Sequence, residues 1–339
     1  MPSPTSQQEL KKRIVALAGK AGAIRTGFAR AGEVDSDGRD QYLRFIAEGR
    51  HGAMGYMANH LNIRADARLL MEDAQARSVI VCAFPYYSPE PEKQTDVRFA
   101  TYARGSDYHI ALRERLHLIT DELGAAGFAW RVCIDSAPLR ERYWAVKAGV
   151  GFIGVNSQLI VPGEGSYFFL ATIITDAGLE PDEPCAGDCG RCGKCVKACP
   201  GRAIGADGSF DARRCLSYLT IEYRGELPKG VKLGRNVYGC DACQICCPHN
   251  RGAKPTEIEE FKPRNEVISL TMERIEAMTP SEFNTIFAGS AVKRARLKGL
   301  KRNNRAVASG SHPETNREGG EAGDREGIEE PPGDKPRGE

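Results

Sequence analysis

The cysteines constrain this chain more than any other feature. Ten of its twelve cysteines fall within residues 185–247. One run, with the spacing Cys-x2-Cys-x2-Cys-x3-Cys-Pro, begins at Cys189 and ends at Pro200, and a second, Cys-x2-Cys-x3-Cys-Pro, begins at Cys240 and ends at Pro248. In bacterial ferredoxins the first spacing holds a 4Fe–4S cluster with three cysteines, while the fourth ligates the other cluster. The pattern therefore predicts an electron-transfer protein with two 4Fe–4S clusters.

The two runs and one isolated cysteine supply the eight thiolates that two such clusters need. The first predicted ligand set is Cys189, Cys192, Cys195 and Cys247. The second predicted set is Cys199, Cys215, Cys240 and Cys243. Cys246 is an alternative to Cys247, although the position of the following proline favours Cys247. Cys185 is interpreted as a loop cysteine without a ligand role.

Structural zinc is the main alternative for these cysteines. Zinc sites usually show two separated Cys-x2-Cys pairs, whereas four closely spaced cysteines followed by proline favour iron–sulfur clusters. Disulfides belong mainly to small secreted domains, so metal-bound thiolates in a reducing compartment fit this chain better. Cys82 and Cys133 lie in apolar runs and are expected to be small core residues.

The length of 339 residues, with 41% hydrophobic and 27% charged residues, is typical of a globular protein of one large or two medium domains. No run approaches the ~20 apolar residues of a membrane span. Residues 11–18 resemble a short signal peptide, but Lys20 interrupts the apolar stretch. Leu10, Ile14 and Leu17 share one helical face, which favours an amphipathic first helix. We expect a cytoplasmic protein with no membrane partner.

Residues 1–180 alternate helical and strand-like patterns, which predicts an α/β or α+β domain. Strands are expected at 78–84, 130–134 and 168–174, and a helix at 107–123. No GxGxxG motif follows a strand, so a nicotinamide-binding Rossmann unit has no support.

The rest of the chain falls into three segments that differ in amino-acid composition. Residues 181–250 form the predicted ferredoxin-like domain for the two clusters. Residues 251–306 are expected to be helical and to carry a basic patch. Residues 307–339 contain almost nothing apolar, which predicts a disordered tail because the segment cannot bury enough surface to offset its ordering entropy.

Asp135 is the first candidate for a catalytic group. It precedes Ser136, Ala137 and Pro138, and on spacing alone it is most simply a helix N-cap, because Asp caps well and Pro suits a first turn. The glycines that follow, at 149, 151 and 154, allow the backbone to approach a ligand or another strand closely.

A basic segment near the end of the helical region is the candidate for binding phosphate. Seven cations fall within residues 293–305 with no acidic residue among them: Lys293, Arg294, Arg296, Lys298, Lys301, Arg302 and Arg305. The alternative is a solvated helix face with no partner.

Together these motifs resemble those of epoxyqueuosine reductases, cobalamin-dependent enzymes that make queuosine in tRNA. The matching pieces, in the order of the family, are residues 54–57 with Arg64, 103–109, Asp135, 148–156, Gly165 and Ser166, both cysteine runs, 218–222 and 299–303. They extend from about residue 20 to 306, which is most of the chain.

The resemblance implies cobalamin over a nitroreductase-like α/β domain, with two 4Fe–4S clusters beside it. It implies reductive removal of the epoxide oxygen of epoxyqueuosine at the wobble position of tRNA, the last step of queuosine biosynthesis. Asp135 is the implied proton donor, held neutral by an apolar cofactor surface. Tyr108 and His109 are the next candidates for this acid.

The resemblance also implies sites and partners. The implied cobalamin contacts are Arg64, Asp135, Asn156, Ser157, Leu159, Ser166, Leu170 and Ser217. The implied tRNA contacts are Arg224, Lys293, Arg294, Lys298, Lys301 and Arg302. The expected partners are a tRNA anticodon stem-loop and an external electron donor, and the chain is expected to be a monomer.

The sequence departs from the family at Val155, where a lysine is frequent, and at His249, where tryptophan is frequent. Two other functions remain open. A reductive dehalogenase shares cobalamin and two clusters, but its respiratory members usually carry a twin-arginine signal, which this sequence does not show. A plain two-cluster electron carrier leaves about 180 residues before the clusters unexplained.

Overall fold

The computed structural model describes residues 4–71, 75–92 and 94–310. The first part of the chain contains α1 (Pro4–Lys20), β1 (Arg25–Arg30), α2 (Ser36–Ala47), α3 (Leu61–Ala65), β2 (Ser78–Pro85), β3 (Arg98–Phe99), α4 (Tyr108–Ala125), β4 (Trp130–Cys133), α5 (Glu141–Lys147), β5 (Phe152–Ile153), β6 (Leu159–Ile160) and β7 (Phe168–Thr175). The cysteine-rich part contains α6 (Lys194–Ala198), α7 (Leu216–Ile221), β8 (Asn236–Tyr238) and α8 (Ala242–Ile245). The last part contains α9 (Asn265–Ile268), α10 (Met272–Ala277), α11 (Pro280–Ile286) and α12 (Arg296–Gly310).

A four-stranded sheet with the order β1-β2-β7-β4 organises the first part. All three strand pairs in it are antiparallel. The expected mixed fold is therefore confirmed, and the antiparallel pairing makes it α+β. The three predicted strands correspond to β2, β4 and β7, and the predicted helix to α4.

Strand β2 is buried on both faces, which explains why its sequence is continuously apolar rather than alternating. Ile80, Cys82 and Phe84 face the core under α1 and α4. Val79 and Val81 face the opposite core under α5. Cys82 is thus a core residue, as its apolar surroundings predicted, and so is Cys133 in the second core.

The first helix is amphipathic, as predicted. Leu10 and Ile14 are buried, with 4% and 0% of their surface exposed, and they belong to the core that α4 completes. Among the described residues, we find no helix with the length and apolar character that crossing a bilayer requires.

The last part of the chain packs against the cysteine-rich part, and the two share one hydrophobic core. Strand β3 pairs in parallel with β8, so a segment of the first part joins the C-terminal core. Asn303 of α12 is fully buried and donates to the carbonyls of Thr220 and Val237 at 2.8 and 2.9 Å. Buried amides need such partners, so these bonds fix α12 against α7 and β8.

Helix α12 continues to Gly310, four residues past the predicted end of the helical region. The cause is Val307, which is 1% exposed and packs in the same core as Leu300. The remainder of the predicted disordered tail, residues 311–339, lies outside the described residues.

Gly27 of β1 offers a test of this packing. A methyl group at Gly27 would lie 1.9 Å from the carbonyl oxygen of Ala148, at the end of α5. Gly27→Ala must push α5 off the sheet, so we expect it to lower the free energy of unfolding by roughly 1–3 kcal/mol. Gly19→Ala is the matched control. Gly19 lies in α1 with nothing within 4 Å of the added methyl, and the substitution should stabilise the chain by up to about 1 kcal/mol. Urea unfolding of both variants measures the difference, and equal stabilities would contradict the packing.

Candidate active site and cluster sites

The first predicted cysteine set surrounds a small cavity. Its lining includes all four members of the set, namely Cys189, Cys192, Cys195 and Cys247, together with Pro248. Val155, Asn156 and Ile160 close the cavity on the side of the sheet domain. Among the described residues, no three His, Cys, Asp or Glu side chains form a group suited to a single metal ion. The four thiols instead enclose a space between them.

Cys246 and Cys185 lie beside this cavity but do not line it. The thiol of Cys246 is directed at the carbonyl of Cys243, 3.7 Å away. Cys185 packs against the apolar group of Phe152 and Cys247. The geometry therefore favours Cys247 over Cys246 as the fourth thiol.

The second predicted set is also brought together. Cys243 lies close enough to Cys199, Cys215 and Cys240 that their charges add to burial in raising its pKa. Burial, followed by the same neighbours, raises the pKa of Cys240 to about 11. The backbone N–H of Ala203 donates to the Cys199 sulfur at 3.2 Å. Such clustered thiols favour binding of a cationic centre, which relieves their repulsion.

Asp135 lies directly after β4 and has an unusual backbone. Its φ is +54°, a left-handed conformation that non-glycine residues adopt at a cost and that is frequent at functional sites. Helix α5 begins only at Glu141, and Arg140 is its N-cap. The helix-cap interpretation of Asp135 is therefore wrong, because Ser136 and Leu139 make tight turns instead of starting a helix.

Three groups hold Asp135. The Tyr108 hydroxyl donates to its carboxylate at 2.6 Å, and Nε2 of His109 lies 3.6 Å from the same oxygen. Its backbone N–H donates to Glu141 at 3.0 Å. The carboxylate side chain is 63% exposed although protein surrounds it on most sides, so it lines an open concavity.

Contacts at the N-terminus of α4 fix the positions of the two side chains, Tyr108 and His109, that approach Asp135. Asp107 is the N-cap of α4 and accepts from the backbone N–H of His109, while its carboxylate lies 2.8 Å from Nδ1 of the same imidazole. The Tyr108 ring stacks between the rings of His109 and Phe169, at centroid distances of 4.1 and 4.4 Å. Asp107, followed by Asp135, raises the pKa of His109 to about 9, so its imidazole is charged at neutral pH.

The pKa of Asp135 itself is lowered. Burial raises it, but hydrogen bonds from His109 and Tyr108 and the charge of Arg142 outweigh that effect. The expectation of a neutral Asp135 is thus not met by the chain alone, because the proton resides on the neighbouring imidazole. Burial, followed by the charge of Asp135, raises the pKa of Glu141 to about 8.

The predicted cobalamin contacts divide into two groups. Asn156, Leu159 and Ser166 are buried. The amide of Asn156 donates to the Cys243 carbonyl at 3.2 Å, and the Ser166 hydroxyl bonds to Asn250. The side chains of these three residues therefore point into the protein interior and not towards solvent.

The other members lie at accessible positions: Arg64, Asp135, Ser157, Leu170 and Ser217. The antiparallel β4–β7 ladder ends at the pair Cys133–Thr172, so Asp135, two residues past that pair, and Leu170, two residues before Thr172 in β7, lie towards the same end of the ladder. Ser217 lies in α7, next to the second thiol group, and the Tyr218 hydroxyl of the same helix accepts from the N–H of Ala53 at 2.7 Å. The concavity thus lies between the end of the sheet and the segment that α7 supports.

Some residues near this concavity were missed by the sequence reasoning. The Arg294 guanidinium lies 5.6 Å from the centroid of the Tyr56 ring and pairs with Glu222 at 2.8 Å. Burial, followed by Glu222, raises the pKa of Tyr56 to about 12, and Asp135 contributes to the shift. Tyr56 and Glu222 belong to segments that carry the family resemblance, so that signal was available. Nothing in the sequence marked Glu141.

The basic segment contains two kinds of cation. Arg302 donates to the carbonyls of Leu219, Tyr223 and Gly225, each at 2.7 Å, and therefore supports the fold. Three further arginines bind the chain itself, namely Arg224, Arg294 and Arg305. In the described part of the chain, Lys293, Lys298 and Lys301 have no ion pair. Together with Arg296, which is exposed and likewise has no ion pair among the described residues, they are the cations that remain available to a phosphate.

The chain matches known families and proteins over most of its length. Residues 188–250 match the 4Fe-4S double cluster binding domain, and residues 64–136 match the family described as "Epoxyqueuosine reductase QueG, DUF1730". The epoxyqueuosine reductase of Cellulophaga algicola is 37% identical over 294 residues, which are 84% of this chain and 95% of the relative. That of Cyclobacterium marinum is 40% identical over 295 residues, covering 84% and 93%.

Solved structures agree with these matches. A crystal structure of epoxyqueuosine reductase with an epoxyqueuosine-modified tRNA-Tyr stem loop is 30% identical, with a TM-score of 0.83 over 90% of this chain and 82% of that one. The Bacillus subtilis epoxyqueuosine reductase, described with its catalytic aspartate loop swung out of the active site, gives a TM-score of 0.82 at 30% identity with the same coverage.

The two adjacent cysteines allow a test of the first thiol group. Cys247→Ser should lose one cluster and fall from about eight irons and eight sulfides per chain to about four of each after anaerobic reconstitution. Cys246→Ser is the matched control and should keep about eight. Iron and sulfide analysis distinguishes the two results, and the reverse pattern would exchange their roles.

Proposed function

Because this chain belongs to the epoxyqueuosine reductase family, we propose that it removes the epoxide oxygen of epoxyqueuosine in the anticodon loop of tRNA, giving queuosine. It is an oxidoreductase, and the cofactors of its family are two 4Fe–4S clusters and cobalamin. The observation that supports the proposal best is Asp135, an accessible carboxylate held by Tyr108 and His109.

The residues fit these cofactors. Two groups of four thiols would hold the clusters, with Cys189, Cys192, Cys195 and Cys247 in one and Cys199, Cys215, Cys240 and Cys243 in the other. The concavity at Asp135 offers both an aromatic side chain, Tyr56, and polar groups from Arg64, Ser157 and Ser217, which suits a large macrocycle with amide side chains. Asn156, Leu159 and Ser166 are buried, so they would support the residues that line the site and would not contact the cofactor themselves.

Removal of the epoxide oxygen as water consumes two electrons and two protons, and both carbon–oxygen bonds break. When bound, reduced cobalamin supplies the electrons. The side chains supply the protons, since the departing oxygen becomes basic as its bonds break. Asp135 is the group that faces the concavity, and His109 holds a proton 3.6 Å from its carboxylate. His109 would recharge Asp135, with Asp107 keeping the imidazole oriented.

The RNA is proposed to lie along the exposed lysines of the basic segment. Lys293 and Lys298 are exposed and Lys301 is partly exposed. Arg294 and Arg224 lie at the edge of the concavity and would contact RNA only while keeping their bonds to the chain. An anticodon loop placed there would direct its wobble nucleotide towards Tyr56 and Asp135. We further propose that the chain acts as a monomer in the cytoplasm, where an external donor reduces the clusters.

The proton donor can be tested with Asp135→Asn. Asn tolerates the left-handed backbone as Asp does, so the loop should keep its shape. We expect single-turnover deoxygenation of an epoxyqueuosine stem-loop by chemically reduced enzyme to fall at least about a hundredfold, with normal cluster and cobalamin content. Asp207→Asn is the control, because Asp207 is an exposed turn residue that accepts from the N–H of Ser209. Equal rates for both variants would remove Asp135 from the reaction and direct attention to Tyr108 and His109.

The RNA contact can be tested with the double substitution Lys293→Ala and Lys298→Ala. Each lost phosphate contact should reduce the slope of log K against log salt by roughly 0.7–0.9. Lys12→Ala with Lys20→Ala, both in α1, removes the same charge away from this segment and should leave the slope unchanged. Titration of a labelled stem-loop at several salt concentrations gives the slopes. Identical slopes for the two double variants would make the segment ordinary solvated surface.

A further inference from the structure

The two thiol groups differ in their distance from solvent. Cys192 of the first group is exposed, and its neighbours Cys189 and Cys195 are only partly buried. The remaining thiol of the first group, Cys247, is buried, and all four thiols of the second group are partly buried, so Cys192 is the one exposed thiol among these eight. The second group adjoins α7, since Cys215 is the N-cap of that helix, and Glu222 at the other end of α7 acts electrostatically, as Asp135 does, on Tyr56. Since electron transfer weakens steeply with distance, electrons from outside should enter at the first group and leave from the second.

The surface around the first group carries an excess of positive charge. Residues 184–206 contain four cations, Arg191, Lys194, Lys197 and Arg202, against a single acid, Asp188. All four cations are exposed, and in the described part of the chain none of them has an ion pair. The carboxylate of Asp188 accepts a hydrogen bond from the backbone N–H of Gly190 at 2.6 Å. That bond leaves the charge of Asp188 in place, so four cations against one acid give residues 184–206 a net charge of +3.

An exposed apolar side chain lies at the same place. Ile245, at the end of α8, is 52% exposed, and α8 packs against α6, which carries Lys194 and Lys197. Lys194 lies close enough to Cys246, the residue after Ile245, to act on its thiol electrostatically. An apolar contact ringed by cations is typical of a small, transient interface, such as those between redox partners.

We propose that Lys194 and Lys197 of α6, the exposed Ile245 of α8, and the flanking Arg191 and Arg202 form the docking face for the electron donor, a small acidic protein that carries a one-electron centre near its surface. The proposal rests on the proposed function, because the first thiol group must hold a cluster. Each encounter oxidises one carrier and delivers one electron, so two encounters supply the two electrons of one turnover. Opposite charges accelerate such encounters and orient them, even where they add little to affinity.

The test uses reconstituted holoenzyme and a reduced acidic flavodoxin as the probe, without RNA. Lys194→Glu with Lys197→Glu reverses the charge of the face. We expect the second-order rate of cluster reduction, followed by loss of cluster absorbance, to fall about tenfold or more at low salt. The wild-type rate should fall as salt is raised, and the variant rate should not. The affinity for flavodoxin lacking its flavin should fall in parallel, which is a readout independent of activity. Lys12→Glu with Lys20→Glu, the same charge change on α1, should leave rate and affinity unchanged.

The outcomes separate this proposal from the proposed function. Turnover with a chemical reductant tests the function alone, and it should be equal in wild type and in the charge-reversed variant. If the variant loses iron, Arg202→Glu replaces it, because Arg202 follows the last cysteine of the first run and lies outside α6. Unchanged reduction rate and flavodoxin affinity in a variant with full iron content would overturn the proposal. Weaker binding of the tRNA stem-loop with unchanged flavodoxin affinity would assign the face to RNA and overturn it too.

Discussion

Burial of β2 and β7 on both faces is the constraint on which the rest of the structure depends. The sheet is covered by α1 and α4 on one side and by α5 on the other. Its register is thereby fixed, since a shift by one residue would exchange the two faces of each strand. The fixed register ends the β4–β7 ladder at Cys133 and Thr172, so Asp135 follows just past the end of β4. The same packing places the first turn of α4, with Tyr108 and His109, against that end.

The chemistry at this end of the sheet arises from the competition between burial and hydrogen bonding. Burial alone would make Asp135 a neutral acid, but Tyr108 and His109 favour its anion. In the described part of the chain the Glu141 side chain accepts a single hydrogen bond, from the backbone N–H of Asp135, so burial prevails there and its pKa rises to about 8. Two neighbouring carboxyl groups thus have opposite shifts. In the proposed mechanism the transferable proton rests on His109 and would reach the concavity through Asp135.

Much of this could be predicted from the sequence, where a local pattern determines the structure. The apolar runs gave the positions of β2 and β7, and the cysteine spacing gave two groups that the fold brings together. The helix-cap prediction for Asp135 was wrong because the signal for a cap is local. In the structure the carboxylate of Asp135 accepts from Tyr108 and its backbone N–H donates to Glu141, and no local motif reveals these partners.

The basic segment shows the same limit. Seven cations look alike in the sequence, but only the fold distinguishes Arg302, which binds three carbonyls of the chain, from Lys293 and Lys298, which have no ion pair in the described part. A count of positive residues predicts an electrostatic field, and it does not reveal which of them the protein uses internally. The extent of α12 was underestimated for a related reason, since Val307 is the one apolar residue that anchors its last turn.

Helix α7 joins the functions that the sequence presents as separate segments. Cys215 of the second thiol group precedes it directly, and the Tyr218 hydroxyl accepts from Ala53 in the wall of the concavity at 2.7 Å. The carbonyls of its last turn accept from α12, where Arg302 and Asn303 donate to Leu219 and Thr220 at 2.7 and 2.8 Å. Helix α7, which is only six residues long, therefore contacts the second thiol group, the segment of Ala53 and helix α12. Because so short a helix derives its stability from these contacts rather than from its own propensity, the second thiol group, the segment of Ala53 and helix α12 must form together.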